Sequence, residues 1–172
     1  SLGPAALQAG PNCETIAIMD AAPTYLVHID ASPESRVAMR FAVQRAAHVG
    51  ADVVLASVIR PTEFMQWGAV QSAMAAEAEA EAQALLELLA GEAAGLTGTL
   101  PATLVLKGDP AQALLDHVRA VPGVRAIVLG APSKGAPGPL ISFFTGERAG
   151  QLPCIVMVVP GGLEPERLEA LS

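Results

Sequence analysis

Short, continuous apolar runs rich in branched residues recur along the chain, separated by longer segments with a helical pattern. Runs of this kind predict buried strands, because both faces of a strand in a parallel sheet are covered. Five strands are predicted, at residues 24–30, 51–59, 101–108, 124–130 and 154–159.

The segment after the first strand predicts an amphipathic helix with clear ends. Ser32 suits an N-cap, and Pro33 suits the first helical position, where its missing N–H costs nothing. Gly50 is a typical helix terminator. The predicted apolar face of this helix consists of Met39, Ala42, Val43, Ala46 and Val49.

Three further helices are predicted between the remaining strands. Residues 69–96 are rich in Ala, Glu and Leu, which are strong helix formers, although the stretch EAEAEA alternates with period two. Asp109 and Pro110 predict the start of a third helix. A short, weak helix is expected within residues 141–151, because Gly146 and Gly150 oppose it.

Strands that alternate with helices in this way predict an α/β fold with a mostly parallel sheet, covered on both faces. The pattern spans residues 23–160, which we interpret as a single domain. Residues 1–22 have no sustained period and are predicted to be an irregular arm, with one short ordered piece at residues 16–19. Residues 161–172 are predicted to be a polar tail.

Composition narrows the class of protein. The chain has 172 residues and a net charge of −7, which argues against nucleic-acid binding. No segment approaches the roughly 18 unbroken apolar residues of a membrane span, and no basic residue precedes the first short apolar run, as a secretory signal requires. Cys13 and Cys154 have no metal-site or CxxC spacing, so we expect free thiols and a cytoplasmic protein.

No catalytic motif stands out in the sequence: a nucleophile elbow, a phosphate-binding GKS or GKT loop and HExxH are all missing. His28 and Asp30 lie two residues apart on the same side of the first strand. They form a proton-transfer pair, or, as the favoured interpretation, His28 is a core histidine with a satisfied hydrogen bond. We therefore expect a binding or regulatory protein that is not an enzyme.

Three segments together resemble the universal stress protein family. Each one is a weak signal, but their order and spacing along nearly all of residues 24–160 are specific. They are YLVHIDASPESRVAMRFAVQRAAHVGADVVLASVIRP (25–61), KGDPAQALLDHVRAVPGVRAIVLGAP (107–132) and LPCIVMVVP (152–160).

The resemblance implies a doubly wound parallel sheet of five strands in the order 3-2-1-4-5, with a crevice between strands one and four. In such sheets, ligands bind outside the carboxyl ends of the strands at this switch point. By resemblance, Asp30 and Val58 lie at the adenine and ribose end, and the loop after Gly130 takes the phosphates. The candidate nucleotide residues are Asp30, Ala31, Ser32, Val58, Gly130, Ser133, Lys134 and Ser142.

The loop after Gly130 departs from the pattern of the nucleotide-binding members, which is Gly, two residues, Gly, nine residues, Gly, then Ser or Thr. Counted from Gly130, the remaining three places hold Ser133, Phe143 and Phe144. A phosphate cradle needs close backbone N–H groups, and Phe adds bulk instead. We therefore predict a degraded nucleotide site.

The alternative is a reshaped loop that still binds AMP, or ATP with magnesium. In that case side chains replace the glycine backbone as phosphate ligands. Lys134 and Arg148 supply positive charge, and Ser142 or Thr145 supplies a hydroxyl group.

The last strand predicts a homodimer. Its core, IVMVV, is apolar on both faces, and the implied strand order leaves it at an edge of the sheet. An uncovered apolar edge is a template for aggregation, and pairing with a second copy of the chain covers it. The predicted interface consists of Ile155, Val156, Met157, Val158 and Val159.

Overall fold

A computed structural model describes residues 22–61 and 68–172 of the chain. The predicted arm, including its expected ordered piece at 16–19, lies outside the described residues apart from residue 22. The strands are β1 (Thr24–His28), β2 (Asp52–Ile59), β3 (Ala102–Lys107), β4 (Val124–Ala131) and β5 (Ile155–Pro160). The helices are α1 (Pro33–Val49), α2 (Gly68–Thr97), α3 (Pro110–Ala120), α4 (Pro139–Thr145) and α5 (Pro165–Leu171), with a 3-10 turn at Ala149–Gln151.

The five strands form one parallel sheet in the order β3-β2-β1-β4-β5, which confirms the predicted fold class. Side chains alternate between the two faces of the sheet. Val27 of β1 packs with α1 and α2 on one face, whereas the adjacent Leu26 packs with α3 and α4 on the other. The crossover helices therefore change sides between β1 and β4, and the switch point lies there.

Capping explains where the helices on either side of the switch point begin. The Ser32 hydroxyl accepts a hydrogen bond from the Ser35 N–H at 3.3 Å, and Pro33 follows it. Asp109 caps α3 in the same way, accepting from the Gln112 N–H at 3.1 Å. Gly50 ends α1 with a φ of 70°, in the left-handed region that glycine favours. These boundaries were predicted correctly.

Three details of the prediction were wrong near the ends of elements. Strand β1 ends at His28, two residues before Asp30, so Asp30 belongs to a loop. Strand β4 runs one residue past Gly130, to Ala131. Val49 is 43% exposed, because α1 has by then passed the edge of the core, so Val49 does not belong to the apolar face.

The segment predicted as a polar tail contains α5, which packs against α1. Leu168 is only 3% exposed and joins the core beneath α1 and α2. The Arg45 guanidinium donates a hydrogen bond to the backbone carbonyl of Ser172 at 3.1 Å. Leu168, the partly buried Leu163 and one charged hydrogen bond therefore attach the end of the chain to the domain.

Within residues 22–61 and 68–172, no helix combines the length and the apolar character needed to cross a lipid bilayer.

Candidate functional site

A cavity of about 430 Å³ opens beyond the carboxyl ends of β1 and β4, at the switch point of the sheet. Three walls enclose it: the loop that leads from β1 into α1, the loop that leads from β4 into α4, and the start of α3. Its lining includes His28, Asp30, Ser32, Glu34, Ser35, Arg60, Asp109, Pro110, Leu129, Gly130, Pro132, Pro137, Gly138, Pro139, Leu140 and Phe143.

The loop from β1 into α1 is fixed by hydrogen bonds centred on Asp30. One carboxylate oxygen of Asp30 accepts from the Ser32 N–H at 2.8 Å and also from the Ser32 hydroxyl. The Ser35 hydroxyl, which is buried, donates to the Asp30 carbonyl at 2.8 Å. The loop therefore holds its shape without help from a ligand.

These contacts fix the charge of the two titratable side chains in this wall. Burial raises the pKa of Asp30, but the hydrogen bonds from Ser32 and the nearby His28 outweigh it, and the net pKa lies below the ordinary value. Burial lowers the pKa of His28, although Asp30 opposes that shift. At neutral pH the pair is thus a carboxylate beside a neutral imidazole.

Gly130 lets β4 approach the first turn of α1. A Cβ atom at this position would meet the carbonyl oxygen of Glu34 well inside van der Waals contact and would lie 2.5 Å from the carbonyl carbon. Gly161, just after β5, presses on the same residue, since its Cβ would lie 2.7 Å from the Glu34 Cβ. Packing alone therefore requires glycine at Gly130, whatever the cavity binds.

The loop from β4 into α4 offers few backbone donors to the cavity. Two prolines of the loop and a third at the start of α4 line the cavity, and proline has no N–H group. The third follows Gly138, which has a φ of 85°, so the first turn of this short helix lacks one donor. The prolines in question are Pro132, Pro137 and Pro139.

The two phenylalanines at the last Gly place and the following Ser or Thr place of the family pattern point in different directions. Phe144 is fully buried in the core beneath α3 and α4, so the expectation that it fills the phosphate position was wrong. Phe143 is half-buried and does line the cavity. The Arg148 guanidinium lies over its ring, 5.1 Å from the centroid. One of the two candidate cations is therefore engaged in a cation–π contact.

The structure brings together only part of the predicted nucleotide set. Asp30, Ser32 and Gly130 line the cavity, whereas Ser133 and Lys134 are exposed outside it. The hydroxyl of Ser142 donates to the Gly138 carbonyl at 2.9 Å, and that of Thr145 donates to the Ile141 carbonyl, so both are used within α4. Two more predicted residues also lie outside the lining: the exposed Ala31 and the half-buried Val58, which packs beneath α3.

Sequence reasoning missed three charged residues of the lining: Glu34, Arg60 and Asp109. Arg60 directly follows β2, and Asp109 follows β3 by two residues. In a parallel sheet the carboxyl ends of all strands gather at one edge, so position after a strand was the available signal. Asp109 had been interpreted only as a helix cap.

Among the described residues, no group of three or more His, Cys, Asp or Glu side chains is arranged to hold a metal ion.

A family model identifies the relatives of the chain. The model of the universal stress protein family matches residues 24–160, which covers both loops of the cavity and all five strands. The chain belongs to the universal stress protein family. A search of curated proteins found no match.

Several solved universal stress proteins share this fold at low identity. UspA from Lactobacillus plantarum is 21% identical with a TM-score of 0.67, over 81% of this chain and 99% of that one. The Archaeoglobus fulgidus protein in complex with dAMP is 17% identical with a TM-score of 0.59, over 81% and 98%. The Arabidopsis thaliana protein with AMP bound is 15% identical with a TM-score of 0.55, over 80% and 90%.

Proposed function

We propose that this universal stress protein is a regulatory binding module whose switch-point cavity binds an adenosine-like ligand but gains no affinity from its phosphates. The observation that carries the proposal is the wall made by the loop from β4 into α4. That wall presents three prolines and the half-buried ring of Phe143 where phosphates would need N–H donors.

The size and position of the cavity support a ligand of nucleoside size. A cavity of about 430 Å³ falls within the roughly 300–1,000 Å³ of small-molecule sites. It lies at the switch point, where open α/β sheets bind their ligands. Two solved members of the family hold AMP or dAMP.

The geometry of His28 and Asp30 supports a binding role over a catalytic one. Side chains that pass a proton between them typically lie within hydrogen-bond reach of each other, roughly 2.6–3.2 Å. The Asp30 carboxylate instead accepts from Ser32, and within the described chain no hydrogen bond joins it to His28. We therefore propose no catalytic step for this pair.

Calorimetry with adenosine, AMP and ATP, each with and without magnesium, tests the proposal. We expect adenosine to bind and affinity not to rise as phosphates are added. Each donor missing to an anion removes a charge-assisted hydrogen bond of about 1.5–3 kcal/mol, so two missing donors cost about a hundredfold or more in affinity. Submillimolar ATP binding that weakens in Lys134→Ala or Arg148→Ala, but not in the control Lys107→Ala, would overturn it.

One observation favours the alternative, in which this family member binds AMP or ATP through a reshaped site. Arg60 lines the cavity, and no ion pair ties its guanidinium to an acidic side chain among the described residues. A free guanidinium is a strong phosphate ligand. If this alternative holds, Arg60→Ala weakens the binding of AMP far more than the binding of adenosine.

We propose that the module is a homodimer paired through β5. The exposure of its side chains supports this, since Ile155 is 59% and Val158 39% exposed at the sheet edge. Val159, however, is buried within the domain, so it is left out of the proposed contact. Sedimentation at micromolar concentration should show a dimer that Val158→Lys disrupts, and a wild-type monomer would contradict it.

The cytoplasmic location stays a prediction.

A further inference from the structure

A histidine ends the central strand β1 at the switch-point cavity. His28 is the last residue of the strand and lines the cavity. Side chains two residues apart on a strand share a face of the sheet, and on this face Leu26 is fully buried among the apolar side chains beneath α3 and α4. His28 therefore places a half-buried polar ring where packing alone favours an apolar residue.

The ring nitrogens of His28 have no hydrogen-bond partner within residues 22–61 and 68–172. In that part of the chain, the Gln44 amide oxygen is the one side-chain nitrogen or oxygen that is both enclosed and without a partner. The His28 nitrogens are therefore not sealed into the core, and they are open to the cavity that the residue lines. A core histidine with a satisfied hydrogen bond, the interpretation favoured from the sequence, is not what the described structure shows.

The ring is uncharged at neutral pH, because burial lowers its pKa more than Asp30 raises it. A neutral imidazole has one N–H donor and one acceptor nitrogen. The carboxylate of Asp30 favours the tautomer whose N–H lies nearer to it, which leaves the other nitrogen as the acceptor.

We propose that His28 is a ligand-recognition residue: its acceptor nitrogen binds an uncharged O–H or N–H group of the adenosine-like ligand. This inference rests on the proposed function, since it takes the adenosine-binding cavity as given. It adds a contact on the side of the cavity formed by β1, away from the loop that would meet phosphates. It also makes recognition depend on the protonation state of one side chain.

Calorimetry with adenosine on the full chain, at about pH 7.5, compares three variants with the wild type. His28→Leu removes both ring nitrogens, and the affinity should fall about threefold to tenfold, the value of one neutral hydrogen bond. His28→Asn restores an acceptor on a shorter side chain, so the loss should be smaller. His117→Asn is the matched control and should leave the affinity unchanged. His117 is also half-buried with a pKa lowered by burial, but it lies outside the lining.

Unfolding free energies separate recognition from a purely structural role. His28→Leu should be no less stable than the wild type, because an apolar side chain replaces a polar ring that has no partner in the described structure. Lower stability combined with an unchanged affinity for adenosine would overturn the inference, since that is the pattern of a histidine that only supports the fold.

The affinity of the wild type should also depend on pH. Imidazolium has no acceptor nitrogen, and the pKa of His28 lies below the ordinary value of 6.5, so the affinity for adenosine should fall only below that pH. The other ionisable residues of the described lining come from the loop after β1, from α1, from the end of β2 and from the start of α3. They are Asp30, Glu34, Arg60 and Asp109.

His28→Asn keeps all four of these residues, so the fall at low pH should disappear in this variant. A fall of the same size in the wild type and in His28→Asn would overturn the inference. Adenosine binding that neither substitution at His28 alters would overturn it as well, while the proposed function still stood. If the wild type does not bind adenosine, the proposed function fails and the inference fails with it.

Discussion

The loop from β1 into α1 is held by hydrogen bonds, whereas the loop from β4 into α4 takes its shape from glycine and proline. In the first loop, Asp30, Ser32 and Ser35 bond to each other and to the backbone. In the second, no side chain of residues 132–137 takes part in a hydrogen bond within the described structure. One wall of the cavity is thus held by side-chain hydrogen bonds, and the other is not.

This difference separates the structural roles of the two loops. The first loop also caps α1, so its polar side chains stabilise the fold whether or not a ligand binds. In the second loop the constraints are on the backbone, through the close contact of Gly130 and the left-handed φ of Gly135 and Gly138, and its other side chains carry no comparable role.

The largest expected effect on stability comes from Gly130, which lies just before the second loop and packs against the first turn of α1. Gly130→Ala places a Cβ against the Glu34 carbonyl, and because both partners are backbone, strands and helix must shift. We expect a loss of about 3 kcal/mol in unfolding free energy, at the upper end for overpacking. Denaturant unfolding measures it.

Gly135→Ala, in the middle of the second loop, is the matched control. Its Cβ would meet nothing within 4 Å, but its φ of 86° is left-handed, so a cost of about 1 kcal/mol is expected. Equal losses for the two variants would show that the close contact at Gly130 does not constrain the fold.

A pair of serine variants compares the hydroxyl groups of the two walls. Ser35→Ala removes a buried hydroxyl that donates to the Asp30 carbonyl, and we expect a loss of about 1–2 kcal/mol in unfolding free energy. Ser142→Ala removes an exposed hydroxyl that bonds only within α4, and less than about 0.5 kcal/mol is expected. Indistinguishable melting curves for the two variants would contradict the comparison.

The smallest effect is confined to acid pH. The pKa of Asp30 is depressed in the folded state, so its contribution to stability is fully present above the ordinary value of 3.8 and is lost as pH falls through the folded pKa. Asp30→Asn should therefore cost stability at pH 6 and cost progressively less below about pH 3.8. The comparison is made in a His28→Asn background, which removes the titration of the histidine itself. If the stability difference caused by Asp30→Asn does not depend on pH, the assignment of a depressed pKa to Asp30 is contradicted.

Much of the fold could be predicted because the apolar runs are long enough to define strands on their own. The end of β1 was misjudged because Ile29 is apolar and fully buried, and its N–H still bonds to β2, yet it lies outside the ladder with β4. Helix α5 was missed because a helix of seven residues with Leu168 as its one buried side chain leaves no period in the sequence.

The site was harder to predict because it is assembled from distant segments. Asp30 and Gly130 follow from the family pattern, but Arg60 and Asp109 join them only because β2 and β3 end at the same edge of the sheet. The direction of Phe143 and Phe144 was beyond a sequence count, since adjacent residues of a helix point about 100° apart. One of the two therefore enters the core and the other the cavity.

The contact of Gly130 and Gly161 with Glu34 has a consequence for how these two glycines are interpreted. A side chain at either position would collide with the first turn of α1, so packing alone excludes a Cβ atom there. A glycine at the end of β4 therefore reports how closely the strand and the helix approach each other, and it is not by itself the mark of a phosphate ligand.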